Sequence, residues 1–229
     1  MNDLTAVLLC GGKGERLKPY TETLPKPLIP IRGEPLLLHL VRLLGSLGIA
    51  RFVFCLGYKA EMIERFIAEH FPGRREFVSV NSGDASMTDR IRDARPHVPG
   101  PALVCYGDTL ANIDLAALRA LHQKNGALAT LTIHPMRSPF GIVEFEPSGK
   151  VARFREKPQL PYWVNIGFLL CEPAALDQIS PGSDMPEFLD RLADAGKLYV
   201  YRHEGGHLTV NTEKERAEAE SQIAEMLTP

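Results

Sequence analysis

The sequence predicts an α/β fold organised around a doubly wound, mostly parallel sheet. Three observations predict it: short apolar strand segments alternate with amphipathic helical segments through the first half, a glycine-rich loop follows the first strand directly, and the second half turns β-rich. A chain of 229 residues can form one α/β domain with a substantial core, and 45% hydrophobic with 24% charged residues is a globular balance, not a disordered one. We read residues 1–229 as a single domain with two halves, about 1–125 and about 126–229, because no Ser/Gly-rich linker, charge block or internal repeat interrupts the chain.

The first strand is Thr5 to Cys10, all apolar after the threonine. An amphipathic helix follows over 35–48, and its closing glycines supply the stop. Residues 51–58 form the second strand and 60–71 a helix ended by Pro72 and Gly73; 76–81 and 101–108 are the third and fourth strands. In the second half, 127–135, 141–146, 151–157 and 165–173 read as strands, with Pro147-Ser148-Gly149 as a turn, and they should extend the sheet. Helical patterns over 174–179, 187–196 and 213–227 complete the chain.

Parallel strands joined by helices place a ligand crevice at the carboxyl ends of the strands. The glycine loop and Asp108 both fall at that edge. Gly11, Gly12 and Gly14 leave backbone N–H groups uncovered to wrap phosphates, and Arg16 and Lys26 add positive charge. The loop is no P-loop, since no Gly-Lys-Ser/Thr follows, and no dinucleotide fingerprint, since Pro19, Pro25, Pro27 and Pro30 forbid an immediate helix. Asp108 closes an apolar strand, where it serves either as a turn cap or as the carboxylate a hard Mg²⁺ ion requires.

The run GGKGERLKP, then LPKPLIPI and GEPLL, resembles the signature of nucleotidyltransferases that join a nucleoside triphosphate to a sugar 1-phosphate, and the resemblance covers nearly the whole chain. It implies a Rossmann-like, GT-A-like sheet with a nucleotide-binding first half and a β-rich, sugar-binding acceptor half. It also implies roles. Arg16, Lys26 and Asp108 are catalytic, with Asp108 on Mg²⁺. Cys10, Gly11, Gly12, Gly14, Glu15 and Lys26 hold the nucleotide, joined by Gly83, Asp84, Met87, Thr88, Tyr106 and Gly107. Glu156-Lys157-Pro158, with Asn165-Ile166-Gly167, resembles the acceptor segment, so Gly141, Glu156, Lys157, Asn165 and Gly167 face the sugar phosphate.

Residues 83–88, GDASMT, resemble the Gly-Asp-Ser-Ser-Met-Thr loop of glucose-1-phosphate cytidylyltransferases, which favours CTP as donor. A helix N-terminus capped by Ser86 or Asp84 is compatible with that role. Three features depart from the family pattern. Asp89-Arg90 replaces Gly-Gly-Arg, Asn211 stands where an Asp is the second metal ligand, and the long insertion that builds subunit contacts is missing. An amide oxygen ligates Mg²⁺ without charge, so the metal then leans more on the phosphates. The alternatives are a nucleotidyltransferase with a non-sugar acceptor such as phosphocholine, and a weakly catalytic regulatory homologue.

Other classes are excluded or disfavoured. No apolar run reaches the ~18 residues of a membrane span and the start lacks a basic leader, so we expect a cytoplasmic protein with no membrane partner. A net charge of -2 gives no global attraction for nucleic acid. Cys10, Cys55, Cys105 and Cys171 are widely spaced in strand-like segments, as reduced core thiols are. Homo-oligomerisation stays open.

Overall fold

The computed structural model describes residues 3–227. The first half runs β1 (Thr5–Leu9), α1 (Tyr20–Thr23), β2 (Pro30–Ile31), β3 (Glu34–Pro35), α2 (Leu36–Ser46), β4 (Arg51–Leu56), α3 (Ala60–His70), β5 (Phe77–Asn81), α4 (Met87–Ala94), β6 (Ala102–Tyr106), β7 (Thr109–Ala111) and α5 (Leu115–Lys124). The second half runs β8 (Ala129–Arg137), β9 (Ile142–Phe145), β10 (Val151–Arg155), β11 (Gln159–Cys171), α6 (Pro173–Leu176), α7 (Met185–Asp194), β12 (Leu198–Arg202), β13 (His207–Thr209) and α8 (Glu213–Leu227).

Seven strands form the main sheet in the order β12-β8-β11-β6-β1-β4-β5. All neighbouring pairs are parallel except those made by β11, which runs antiparallel to both β6 and β8. The strands alternate their side chains between two apolar layers, as a period of two requires. Leu8, Phe52, Phe54, Leu103 and Cys105 face one core, filled by α2, α3 and α8, while Val7, Val53, Cys55 and Val104 face the other, filled by α4, α6 and α7. Burial on both faces is the condition for a parallel sheet, and it explains the near-continuous apolar strands.

Local signals set the helix ends. Gly48, with φ +84°, stops α2, and Ser86 caps α4 by accepting the Asp89 N–H at 3.1 Å, in agreement with the expected cap. The four cysteines are free and buried, and burial pushes the Cys55 thiol up to about 12.

One expectation changes. Residues 141–146 and 151–157 do not extend the sheet; β9 and β10 pair only with each other, as a separate ribbon. The chain leaves β8 through a turn in which the Ser138 hydroxyl donates to the Phe140 carbonyl (2.8 Å), and the ribbon's side chains stay largely exposed, so nothing draws it onto the sheet.

Candidate active site

A cavity of about 340 Å³ opens at the carboxyl ends of β1 and β6. Its lining joins Cys10, Gly11, Gly12, Gly14, Glu15 and Arg16 of the opening loop to Lys26 and Pro27 of the proline cassette, Met87 and Arg90 of α4, Tyr106, Gly107 and Asp108 after β6, and Asn211. Residues about 200 positions apart, Cys10 and Asn211, thus converge at the crevice the strand order requires.

The loop holds its shape by local bonding. Gly14 sits at φ +64°, a region costly for other residues, and the Thr21 hydroxyl donates to its carbonyl at 3.1 Å. Opposite, Arg90 is buried; its Nη2 donates to the carbonyls of Gly11 (3.2 Å) and Gly83 (2.7 Å), while its Nε has no partner. A Cβ on Gly11 would lie 2.5 Å from that Nε, so only glycine lets the guanidinium lie on the loop. Arg90 makes none of the ion pairs found among the described residues; its cation is held by carbonyl oxygens at the rim of the cavity.

At the centre, four polar side chains meet. Lys26 Nζ is ion-paired with Asp108 and donates to Asn211 Oδ1 at 2.8 Å; Arg16 Nη2 donates to the same oxygen at 2.9 Å. Asn211 is fixed in turn by donating from Nδ2 to Thr209 Oγ1 (2.9 Å), and its backbone N–H donates to Glu215 (2.7 Å). The segment is placed by β13 pairing with β7, and by the Val210 N–H donating to the Asp108 carbonyl at 3.0 Å. The C-terminal part of the chain is therefore built into the same centre as the opening loop.

Asp108 and Asn211 share Lys26 as a partner, and both offer oxygen. Mg²⁺ binds through one or two carboxylates and completes its octahedron with substrate phosphates and water. This donor set fits that ion. No group of three His, Cys, Asp or Glu suited to an all-protein metal cage is found among the described residues.

The expected acceptor residues fall in two places. Gly167, at φ +77°, lies directly against Tyr106, where a Cβ would come within 2.5 Å of the ring. Asn165 accepts the Gly167 N–H at 2.9 Å and also bonds the Tyr106 hydroxyl, although burial still pushes that phenol up. These two residues join the acceptor strand β11 to the cavity wall. Gly141, Glu156 and Lys157 do not line the cavity. They lie together at the base of the ribbon: a Cβ on Gly141 would sit 3.1 Å from Glu156 Oε2 and 2.5 Å from the Phe154 ring, while Lys157 is exposed with φ 44°.

Two donor-side expectations also shift. Thr88 is fully buried, and its hydroxyl donates to the Ser183 carbonyl beside α7, turned away from the cavity; the helical turn that carries it presents Met87 and Arg90 instead. Asp84 is exposed and paired with Lys13 at 3.1 Å, at the rim. Arg90 was quotable from the sequence as part of the loop resembling a base-binding segment, but its burial against Gly11 was not legible there.

A family profile described as nucleotidyl transferase matches residues 5–224. The chain belongs to this family. It is 33% identical to the probable glucose-1-phosphate cytidylyltransferase of Bacillus subtilis (strain 168), over 92% of each chain. It is 31% identical to the glucose-1-phosphate cytidylyltransferase of Salmonella typhi, over 88% of this chain and 89% of the other. Relatives of other base preference are nearly as similar. A UTP–glucose-1-phosphate uridylyltransferase of Synechocystis is 30% identical over 84% of this chain and 56% of the other, and a mannose-1-phosphate guanyltransferase of Xenopus laevis 28% over 93% of this chain and 62% of the other. The fold is that of a Bacillus anthracis protein assigned as a glucose-1-phosphate thymidylyltransferase, with a TM-score of 0.79 over 99% and 97% of the two chains at 18% identity. The expected Rossmann-like nucleotidyltransferase architecture is therefore present, and the chain is a transferase.

Proposed function

We propose that this chain, acting as one cytoplasmic nucleotidyltransferase domain, transfers a nucleoside monophosphate from a nucleoside triphosphate, with CTP preferred, to a sugar 1-phosphate and releases pyrophosphate. The observation that carries the reading is the convergence of Arg16, Lys26, Asp108 and Asn211 at the mouth of the glycine loop. Two cations and two oxygen donors in one cavity match the charge of a triphosphate whose α-phosphorus is to be attacked.

In this reading the acceptor's phosphate oxygen attacks the α-phosphorus in line, and pyrophosphate leaves from the opposite side. The phosphate is already anionic, so no general base is needed. The backbone N–H groups of Gly11, Gly12 and Gly14 bind the triphosphate, and Arg16 offsets the charge that grows on the leaving pyrophosphate. Lys26 leaves Asp108 to bridge the nucleotide phosphates near the reacting centre. Asp108 and Asn211 would hold Mg²⁺, which when bound supplies charge neutralisation among the phosphates. Tyr106, braced by Asn165 and Gly167, forms the wall between donor and acceptor, and Glu156 and Lys157 approach the sugar phosphate from the ribbon base.

The preference for CTP rests on the loop over 83–88 and on relatives that are cytidylyltransferases. Pyrophosphate release measured over every pairing of CTP, UTP, dTTP, GTP and ATP with a panel of sugar 1-phosphates and phosphocholine tests the reading. CTP should exceed the other donors by at least about tenfold in kcat/KM, or ~1.4 kcal/mol. Equal turnover with UTP or GTP removes the cytidylyl assignment, and turnover only with phosphocholine removes the sugar.

A further inference from the structure

We infer that Glu215, which does not line the cavity, is a positioning residue for the reaction centre: by holding the backbone of Asn211 it sets the point at which Arg16 and Lys26 meet. The inference rests on the nucleotidyl transfer proposed above. The Asn211 N–H donates to Glu215 Oε2 at 2.7 Å, and the Glu215 N–H donates to Thr212 Oγ1 at 3.2 Å. Together they make a capping box at the start of α8, displaced by one residue: Thr212 caps the helix, and the glutamate three positions on reaches back past it to Asn211. The ordinary work of such a box is to start a helix. Here the residue it takes hold of carries the oxygen that Lys26 Nζ (2.8 Å) and Arg16 Nη2 (2.9 Å) share.

The same helix also grips the segment that carries Lys26. Arg216 lies over the Tyr20 ring at 5.3 Å and pairs with Glu213 (2.9 Å) and Glu220 (3.0 Å), and Glu220 accepts the Arg32 N–H at 2.6 Å. Tyr20 and Arg32 bracket Lys26 in the chain. The first two turns of α8 therefore hold the amide on one side and the lysine's segment on the other. Val210 is tied to the Asp108 carbonyl through its own N–H (3.0 Å), and Glu215 continues that hold by one residue, at the position that bears the amide.

An oxygen shared by two cations must sit in one place to serve both, and a displacement of about 1 Å near a reacting centre can cost on the order of 10²-fold in rate. Loss of Glu215 frees the peptide that aims this oxygen, while Arg16, Lys26 and Asp108 all remain. A glutamate that served the helix alone would leave kcat unchanged in any variant that folds.

Glu215→Ala should lower kcat for pyrophosphate release roughly tenfold or more, with KM for CTP within about twofold of the parent's. Glu215→Gln, which keeps an oxygen at the same reach, should recover most of that loss. In an Asn211→Ala background the loss should vanish, because the side chain through which Glu215 acts is gone. A crystal structure of Glu215→Ala should show Asn211 Oδ1 beyond hydrogen-bond reach of Lys26, Arg16 or both. That arm needs no turnover, so it judges the positioning even if the parent transfers no nucleotide, a result that removes the proposed reaction alone. Should Glu215→Ala fail to fold, Thr212→Val, which loses only the hydroxyl that receives the Glu215 N–H, takes its place with the same expected direction. Parental kcat in the folded variant, an equal loss with and without the Asn211 side chain, or an unmoved amide overturns the inference. So does a Gln variant no more active than the Ala one, which would make the charge of Glu215, and not its hold on Asn211, the cause.

Discussion

Asn211 Oδ1 lies 2.8 Å from Lys26 Nζ, across 185 residues of sequence, and the same oxygen receives Arg16. One neutral amide thus ties together the two cations that the opening loop contributes, beside the one carboxylate, Asp108, that pairs with Lys26. If the proposed Mg²⁺ site is right, charge at position 211 sets the balance between these cations and the ion.

Asn211→Asp should lower the Mg²⁺ concentration that half-saturates activity by about fivefold, because a second carboxylate joins Asp108 at a site that now offers one. A magnesium titration of pyrophosphate release reads this directly. An unchanged titration would mean that position 211 organises Arg16 and Lys26 and does not face the ion.

Asp108→Asn should reduce turnover by roughly two or more orders of magnitude, since it removes the carboxylate from the proposed metal site and the counter-charge from Lys26. Thermal unfolding run alongside distinguishes chemistry from folding. Near-normal turnover at limiting Mg²⁺ would reduce Asp108 to a turn residue receiving the Thr109 hydroxyl at 3.1 Å.

Much of this centre was legible because its parts are local in sequence. Gly11, Gly12, Gly14, Arg16 and Lys26 lie within sixteen residues, and each residue type states its chemistry. Asp108 was placed by topology: a strand end in a parallel sheet has one edge to occupy. What escaped reading depends on packing between distant segments. Arg90 is an ordinary charged residue in a helix pattern until Gly11 and Gly83 close over it. Thr88 belongs to a quoted motif, yet the helical turn that Ser86 starts rotates it toward Ser183. The short strand β12 and helix α5 were not read as elements, since Leu198–Arg202 and Leu115–Lys124 are half-buried segments whose patterns are weak until β8 lies between them. The connection from β8 to β11, residues 138–158, is filled by the β9–β10 ribbon in place of a crossover helix, and β11 returns antiparallel to β8; alternation of strand and helix alone does not report this.

Lys157→Ala and Arg16→Ala should separate the two substrates. Lys157 is exposed at the ribbon base, so its loss should raise KM for the sugar phosphate several-fold and leave CTP binding intact. Arg16, bonded to Asn211 in the cavity, should mainly affect kcat, because the charge it offsets grows as pyrophosphate leaves. Calorimetry with CTP and kinetics with the acceptor varied decide it. Loss of CTP binding in Lys157→Ala, with acceptor KM untouched, would overturn this division of the site.

Gly167→Ala tests the wall. The position has φ +77°, and the added carbon would meet the Tyr106 ring at 2.5 Å. The left-handed backbone alone costs about 1–2 kcal/mol, and the displaced ring adds to it. Urea unfolding should lose at least about 2 kcal/mol. Turnover should fall as well, because Tyr106 lines the cavity. A variant as stable as the parent would show that the ring swings away freely.

His207, on β13, lies with its ring centroid 5.1 Å from that of His134, which is itself 5.9 Å from His203. His134 Nδ1 bonds the His203 carbonyl at 2.9 Å, and His203 Nε2 bonds the Gly206 carbonyl at 3.0 Å. Burial, reinforced by the charge that His134 and His203 would carry, pushes His207 down to about 4; burial also lowers His203. A histidine held neutral in the fold takes up its proton more readily when unfolded, so the unfolded chain binds more protons between pH 6.5 and about 4. Stability must therefore be fullest above pH 6.5 and decline as pH falls through that window. At ~1.4 kcal/mol per pH unit, His207 alone accounts for about 2 kcal/mol lost between pH 7 and pH 5. Urea unfolding at those two pH values should show the loss in the parent and a smaller one in His207→Gln, which keeps the shape and does not titrate. If the two proteins lose stability in parallel, His207 reaches water in the fold and the acid sensitivity lies with other groups.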